Sequence, residues 1–392
     1  MKPLKIKEDI YRLGSVDWDR RIFDALIPLP DGTSYNAYLI RGSEKTVLID
    51  TDDPAFREEF MSQLEGVEKL DYLVSLHAEQ DHSGCIPFVL EKYPEAKVMV
   101  TPKCKNMEMD LLDIPEEKFI TVADGETLSL GNKTLKFIHT PWVHWPETMS
   151  AYLAEDKILF SCDFFGSHLA VSDLFVTDKA RTYEAAKRYY AEIMMPFRKI
   201  ISKNLQKVLS YDIDMIAPSH GPIYREPELI IEAHREWVEA PPKNLVVLPY
   251  ISMHESTKRM VDRLVEALIR EGVEVEQFNL EVTDLGKLAM TLVDAATVVM
   301  ASPTVLSGPH PAVVYAAYLT NALRPKAMFA SIMGSYGWAD RVVPVVTGLI
   351  KDLKVEVLDP VLAKGAPTQD TFDAIDRLAA AIAAKHKKAG VY

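Results

Sequence analysis

The sequence predicts an α/β protein of two domains, in which sheets covered by helices precede a doubly wound parallel five-stranded sheet. Its 392 residues are many for a single hydrophobic core. The pattern of apolar runs also changes at EAPPKN, residues 239–244. The paired prolines of this segment stop a helix and remove two amide donors. We therefore predict one domain over residues 1–240 and a second over residues 244–392.

Short β-rich runs dominate the first 220 residues. They are SYNAYLI at 34–40, KTVLIDT at 45–51, LDYLVSL at 70–76, KVMVTP at 97–102, LKFIHTP at 135–141 and KILFSCD at 157–163. Amphipathic stretches at 181–209 and 226–237 predict helices that pack outside these strands. This half is therefore expected to consist of sheets covered by helices.

After the linker, strands and helices alternate. The strands are NLVVLPY (244–250), VEVEQFNL (273–280), ATVVMASP (296–303), KAMFASIMG (326–334) and KVEVLDPV (354–361). Helices are predicted over 256–271, 284–295, 310–323, 338–353 and 368–386. Five strands that alternate with five helices indicate a doubly wound parallel sheet.

The composition excludes several classes of partner. The net charge is -13 and no basic block precedes the last few residues, which argues against nucleic acid or an anionic membrane. The amino terminus lacks an apolar signal region and no apolar run approaches a membrane span, so we expect a cytoplasmic protein. Three scattered cysteines form no CxxC, and they are expected to act as small hydrophobic residues.

HAEQDH, at 77–82, concentrates groups with metal-ligand chemistry. His77, Glu79, Asp81 and His82 follow the strand LDYLVSL and precede a helix predicted to begin near Ser83. They would therefore lie on a strand-to-helix loop, where side chains can converge on one point. Taken alone, such a loop also fits a solvated turn.

Three later residues strengthen the metal interpretation. His144, Asp163 and His220 each come shortly after an apolar strand, so one edge of stacked sheets could present all of them. Singly, they also fit a loop histidine, a helix cap and a turn residue. Together with HAEQDH they form an ordered set of four imidazoles and three carboxylates.

This order resembles the metallo-β-lactamase superfamily, with its H-x-[EH]-x-D-H loop, later His, bridging Asp and final His. The resemblance covers about the first 240 residues and implies an αββα sandwich. Hydrolases of the superfamily usually have His where this chain has Glu79, and the added carboxylate makes a harder site that suits iron better than zinc.

The resemblance also implies a ligand set for two non-haem irons. His77, Glu79 and His144 would bind one iron, Asp81, His82 and His220 the other, and Asp163 would bridge them. His168 falls where related iron proteins carry a nearby histidine that is not a ligand, which makes it a candidate for a catalytic supporting role or for a structural one.

The second half resembles flavodoxin, where FMN binds at the carboxyl ends of the strands. The expected contacts are Ser252, Ser256, Thr257, Pro303, Thr304, Gly334, Tyr336, Gly337 and Trp338. The start of the helix after NLVVLPY would attract the phosphate. Tyr336 or Trp338 could stack on the flavin or pack at the surface. Flavodoxin-like loops often have Gly where Glu255 stands, so its carboxylate must point outward if FMN binds.

The order of the two halves resembles the flavodiiron proteins, or A-type flavoproteins, and DWD (17–19), TSYNAYLI, HWPETM and APSHG support the resemblance. It implies an oxidoreductase that passes electrons from FMN to the irons and reduces dioxygen to water or nitric oxide to nitrous oxide. It also implies a head-to-tail homodimer or homotetramer. The electron donor would be separate, such as rubredoxin, a flavin reductase or a reduced deazaflavin.

Alternative functions follow from the same residues. The metal loop also fits a dinuclear zinc hydrolase, with the second domain incidental. A flavin-only electron carrier would retain the metal residues without using them, and the second half also fits a mononucleotide-binding or purely structural domain. The sequence leaves open the preference between dioxygen and nitric oxide and the source of protons.

Overall fold

The computed structural model describes residues 2–391, which form two compact units. The first unit comprises the chain up to Tyr189 together with Phe197–Val238, and the second comprises Tyr190–Pro196 together with the chain from Glu239 onward. The split after Val238 lies beside the prolines of the predicted linker. None of the described helices is long and apolar enough to cross a lipid bilayer.

Short strands build two main sheets in the first unit. They are β1 (Leu4–Lys7), β2 (Ile10–Leu13), β3 (Val16–Asp17), β4 (Ile22–Phe23), β5 (Ile27–Pro28), β6 (Thr33–Ser34), β7 (Ala37–Arg41), β8 (Thr46–Ile49), β9 (Tyr72–Val74), β10 (Lys97–Val100), β11 (Phe119–Thr121), β12 (Thr127–Ser129), β13 (Thr134–His139), β14 (Met149–Leu153), β15 (Ile158–Cys162) and β16 (Met215–Pro218). One sheet has the order β1-β2-β7-β8-β9-β10-β11 and the other has the order β12-β13-β14-β15-β16. β3 pairs with β6, and β4 pairs with β5.

The helices of this unit are α1 (Arg57–Gln63), α2 (Gln80–Ser83), α3 (Ile86–Lys92), α4 (Pro102–Leu112), α5 (Lys179–Tyr189), α6 (Arg198–Val208) and α7 (Glu228–Glu239). Alternate residues of the central strands face opposite layers. In β7, Tyr38 and Ile40 belong to the core between the sheets, whereas Leu39 packs in a cluster that includes residues of α1 and α3. At the second sheet, Asn204 of α6 donates a hydrogen bond to the carbonyl of Pro141. These layers confirm the predicted αββα sandwich.

The second unit contains a parallel sheet with helices between its strands. Its strands are β17 (Lys243–Tyr250), β18 (Glu274–Asn279), β19 (Ala295–Val305), β20 (Gly308–Pro309), β21 (Phe329–Tyr336), β22 (Glu356–Val357) and β23 (Val361–Lys364), and its helices are α8 (Ser256–Arg270), α9 (Leu285–Leu292), α10 (Pro311–Leu323), α11 (Val342–Leu349) and α12 (Gln369–Ala389). The order β18-β17-β19-β21-β22, with β23 also parallel to β21, is the flavodoxin-like order. The predicted doubly wound sheet is confirmed.

Two predicted elements are interrupted by proline. The helix predicted over 181–209 is divided into α5, a π-helical turn at Tyr190–Met194, a 3-10 turn at Met195–Phe197 and α6. Pro196 lacks an amide donor and disfavours the helical conformation of the residue before it. The strand predicted over 354–361 is divided into β22 and β23, because Pro360 cannot donate to a sheet ladder.

Gly334 lies at a point in β21 where no side chain fits. A Cβ at this residue would lie 2.2 Å from the carbonyl oxygen of Ser302, its register partner in β19. We predict that Gly334→Ala lowers the free energy of unfolding by about 1–3 kcal/mol, because the strands would have to separate. Chemical denaturation measures this change.

Gly348→Ala is the matched control for that substitution. Gly348 lies in α11, where an added Cβ would meet no atom within 4 Å. Because alanine is the better helix former, this variant should be as stable as the unchanged protein or more stable by up to about 1 kcal/mol. Equal unfolding free energies for the two alanine variants would contradict the close strand approach at Gly334.

Candidate metal centre

The predicted ligands come together at one edge of the two sheets of the first unit. They are His77, Glu79, Asp81, His82, His144, Asp163 and His220. Those of HAEQDH follow β9 in the first sheet, and the others follow β13, β15 and β16 in the second. The helix after β9 begins at Gln80 rather than near Ser83, so Asp81 and His82 lie on the short helix α2.

Asp163 is at the centre of this cluster, directly after β15. Its Oδ2 lies 3.5 Å from Nε2 of His77 and 3.4 Å from Nε2 of His144. Its Oδ1 lies 3.2 Å from Nε2 of His82 and 3.3 Å from Nε2 of His220. One carboxylate therefore faces two pairs of imidazoles, with one oxygen toward each pair.

Glu79 joins the first of these pairs. Its Oε2 lies 3.1 Å from Nε2 of His77 and 3.2 Å from Nε2 of His144. A main-chain hydrogen bond connects the two sheets next to His77: the amide of Met149 donates to the carbonyl of Leu76 at 3.0 Å. The first group of donors thus combines two imidazoles and a carboxylate with the shared oxygen.

Asp81 joins the second pair. Its Oδ1 lies 3.4 Å from Nε2 of His82, and its Oδ2 lies 3.3 Å from Nε2 of His220. The amide and the hydroxyl of Thr51 both donate to the carbonyl of His82, at 2.7 Å and 2.6 Å, which fixes the turn of α2. The second group has the same composition as the first.

Several atoms of the cluster are buried but lack the geometry of hydrogen bonds. Among the described residues, both carboxylate oxygens of Asp81 and Asp163, and Nε2 of His82, have no hydrogen-bond partner. Burial of charged groups without such partners is costly. Oxygens and nitrogens that converge in this way are satisfied by metal cations, and the donors present therefore fit two metal ions.

The electrostatics of the cluster agree with this fit. Burial alone would raise the pKa of Asp163, but the positive charges of the surrounding histidines, first that of His82, hold the pKa well below its usual range. Burial alone would lower the pKa of His220, yet Asp163 and Asp81 raise it to about 10. The site thus favours positive charge at its centre. A set with three carboxylates suits iron better than zinc.

Two carboxylates support the cluster from outside. Oε1 of Glu147 lies 2.6 Å from Nδ1 of His77. The side chain of Asp50 lies within 4.8 Å of donor atoms of His82 and Cys162. A carboxylate bonded to an imidazole as Glu147 is to His77 orients a metal-ligating ring. Asp50 instead accepts hydrogen bonds from the amide of Leu76 and the hydroxyl of Ser219. Neither residue was predicted from the sequence, although Asp50 lies in KTVLIDT and Glu147 in HWPETM, because nothing in their spacing marks them.

His168 lies beside the cluster but outside both groups of donors. Its ring centroid is 4.9 Å from that of His220, and its Nδ1 lies 2.8 Å from the hydroxyl of Thr33. Burial lowers the pKa of His168 well below its usual range, so the ring is neutral. Its Nε2 is buried and has no hydrogen-bond partner among the described residues.

A pocket in the second unit lies at the carboxyl ends of β17, β19 and β21. It is lined by Ser252, Met253, His254, Ser256, Thr257, Pro303, Thr304, Ser335, Tyr336, Gly337, Trp338 and Gly365. The predicted contacts lie among these residues except Gly334, which pairs with Ser302 of β19 and does not line the pocket. Four residues of the lining were not predicted from the sequence, namely Met253, His254, Ser335 and Gly365, although Met253 and Ser335 adjoin predicted contacts.

The residues of this pocket fit FMN. The pocket lies where the strand order reverses between β17 and β19, and α8 begins at its rim. The hydroxyl of Thr304 is buried without a hydrogen-bond partner among the described residues. Glu255 is exposed, adopts a left-handed conformation with φ of 63°, and does not line the pocket. Its carboxylate is therefore compatible with a bound phosphate.

Comparisons with known proteins agree with the geometry of both units. Residues 33–221 match the ODP family beta lactamase. Over 366 residues the chain is 36% identical to a protein named nitric oxide reductase from Moorella thermoacetica, and the match covers 91% of this chain and 92% of that protein.

Two solved structures resemble the entire chain. The rubredoxin oxygen:oxidoreductase of Desulfovibrio gigas is 29% identical, with a TM-score of 0.94 and coverage of 99% of both chains. The flavodiiron protein of Giardia intestinalis is 28% identical, with a TM-score of 0.88 and coverage of 98% of both chains. The chain is therefore more than 30% identical to a relative over nine tenths of its length, and it shares its fold with these two structures. The chain belongs to the flavodiiron protein family and is an oxidoreductase.

Proposed function

We propose that this chain reduces dioxygen to water, or nitric oxide to nitrous oxide, at a di-iron centre that receives electrons from FMN. The observation that carries the proposal is the pair of donor groups that share the carboxylate of Asp163. The relatives described above have the names of reductases and oxidoreductases, which favours this function over a zinc hydrolase.

The donor groups give each metal position its own residues. In this proposal, His77, Glu79 and His144 hold one iron, Asp81, His82 and His220 hold the other, and Asp163 bridges the two positions. When bound, the irons and FMN supply the electron transfer, with four electrons and four protons for each dioxygen and two of each for each pair of nitric oxide molecules. The deep burial of Asp163 and His77 keeps bulk water away from these donors.

His168 lies beside the donor groups and has one ring nitrogen free of protein partners among the described residues. Its ring is neutral and buried, and its Nε2 faces no protein partner among the described residues. The hydroxyl of Thr33 holds the opposite ring nitrogen, Nδ1, at 2.8 Å and thus limits rotation of the imidazole. His168 is therefore proposed as a supporting residue whose neutral ring offers Nε2 for a hydrogen bond beside the donor groups without binding a metal.

The pocket of the second unit is proposed to hold FMN. The start of α8, with the hydroxyls of Ser252 and Thr257, would receive the phosphate. Ser256 and Thr304 add further hydroxyls, and Pro303 and Gly337 add wall contacts. Tyr336 and Trp338 are the aromatic rings of the pocket lining that could stack on the flavin. Trp338 is 86% exposed, so its ring is accessible to a ligand.

We further propose a head-to-tail homodimer or homotetramer in the cytoplasm, supplied by a separate donor such as rubredoxin, a flavin reductase or a reduced deazaflavin. Large apolar side chains are exposed in both units, including Trp18, Ile22 and Leu26 in the first and Leu306 and Trp338 in the second. A subunit interface would bury them.

Sedimentation velocity tests this assembly. We expect a species of at least two chains at micromolar concentration, because exposed apolar side chains of this size favour association. A monomer that sustains full gas turnover would contradict the head-to-tail arrangement.

Asp163→Asn tests the metal centre. Loss of the shared negative charge should leave two positive ions too close together without compensation, so the iron content should fall from about two ions per chain to one or fewer. Metal analysis of anaerobically purified protein measures the change.

Asp52→Asn is the control for Asp163→Asn. Asp52 is also buried and lies three residues after β8, but the hydroxyl of Ser15 donates to it and burial raises its pKa to about 8, so that it is largely neutral. This variant should keep its iron. An Asp163→Asn chain with a full complement of iron would refute the bridging role.

A further inference from the structure

Glu147 is a buried glutamate that binds one of the proposed iron ligands from behind. Its side chain has no exposed surface, and its Oε1 lies 2.6 Å from Nδ1 of His77. The same oxygen accepts a hydrogen bond from the amide of Ala78 at 3.1 Å. The hydroxyl of Thr101 donates to the carbonyl of Glu147 at 2.9 Å, which fixes the backbone at this residue.

This contact decides which nitrogen of His77 is free for a metal. A carboxylate is an acceptor, so Nδ1 of His77 must carry the proton and donate it to Glu147. In the neutral ring that would bind a metal, the lone pair then lies on Nε2, the nitrogen that faces Glu79 and Asp163 at 3.1 Å and 3.5 Å. Glu147 therefore sets both the tautomer and the rotation of the ring.

His220 in the other donor group shows what a neutral partner provides. Its Nδ1 lies 2.8 Å from the carbonyl oxygen of Ser34, which orients the ring without a charge. Orientation alone thus does not require a carboxylate. The negative charge of Glu147 has a further effect, because it makes the imidazole of His77 more electron-rich and a better donor to a cation.

We propose that Glu147 is a positioning residue that strengthens metal binding through His77 and lowers the reduction potential of the metal bound there. The inference rests on the proposed function, because it assumes that His77 is a metal ligand. It adds a residue that acts through a ligand and touches neither metal nor substrate.

The test uses zinc alone as the first probe. Glu147→Gln keeps the shape of the side chain and removes its charge, and Glu147→Asp keeps the charge but withdraws it by about one bond length. Competition with a chelator should show that Glu147→Gln binds one of two zinc ions about 10- to 100-fold more weakly. Glu147→Asp should lose less.

Glu108→Gln is the matched control. Glu108 is also a fully buried glutamate, but it bonds to the hydroxyl of Ser75 and to the thiol of Cys104 rather than to an imidazole. Burial raises the pKa of Glu108 to about 8, so the substitution removes little charge. This variant should bind both zinc ions with unchanged affinity.

A redox titration of the iron-loaded chains provides the second measurement. The reduction potential of one iron should shift upward in Glu147→Gln and stay unchanged in Glu108→Gln, a difference that a merely structural role would not produce. Unchanged zinc affinity and unchanged potentials in Glu147→Gln would overturn the inference. If Glu147→Gln fails to fold, as measured by thermal unfolding, then the same two measurements on Glu147→Asp decide it.

Failure of the proposed function gives a different result. An unmodified chain that binds no pair of metal ions would overturn the di-iron proposal and the role of Glu147 together. An unmodified chain that binds two ions, with a Glu147→Gln variant that matches it, overturns only the role of Glu147.

Discussion

The carboxylate of Asp163 lies fully buried among four imidazole Nε2 atoms at 3.2–3.5 Å, and the other donors are arranged around it. Desolvation opposes a charge in this position, so the arrangement is favourable only with compensating positive charge. In the proposed centre, two metal cations would provide that charge, and one oxygen of Asp163 faces each of the two groups of donors. The sandwich supplies the rigid support, because strands of both sheets end at this edge.

Residues with positive φ adjoin two of the donors at this edge, Asp163 and His220. Cys162 has a φ of 55° directly before Asp163, and its carbonyl accepts a hydrogen bond from the amide of Ser219 at 2.9 Å. Gly221 follows His220 with a φ of 82°, and a Cβ there would lie 2.1 Å from the hydroxyl oxygen of Ser167. Non-glycine residues with positive φ persist where the surrounding structure fixes them, often at functional sites.

The sequence predicted the parts of this protein that depend on local patterns. The strands, the αββα layers and the flavodoxin-like order follow from apolar periodicity and from the family resemblance, and the donors of HAEQDH are neighbours in the chain. Glu147 was missed because its partner His77 lies 70 residues earlier, so that only the fold brings the two together. The break of the helix at 190–197 was missed because Pro196 interrupts an amphipathic pattern that otherwise continues. Gly334, which was predicted as an FMN contact, also lies where two strands approach closely, and a single sequence does not reveal that approach.

The proposed function requires a di-iron centre and FMN in the same chain. The most direct test is to measure iron, zinc and flavin in the same anaerobically purified sample, by metal analysis and a visible spectrum. We expect about two irons and one FMN for each chain. Two zinc ions without flavin would contradict it.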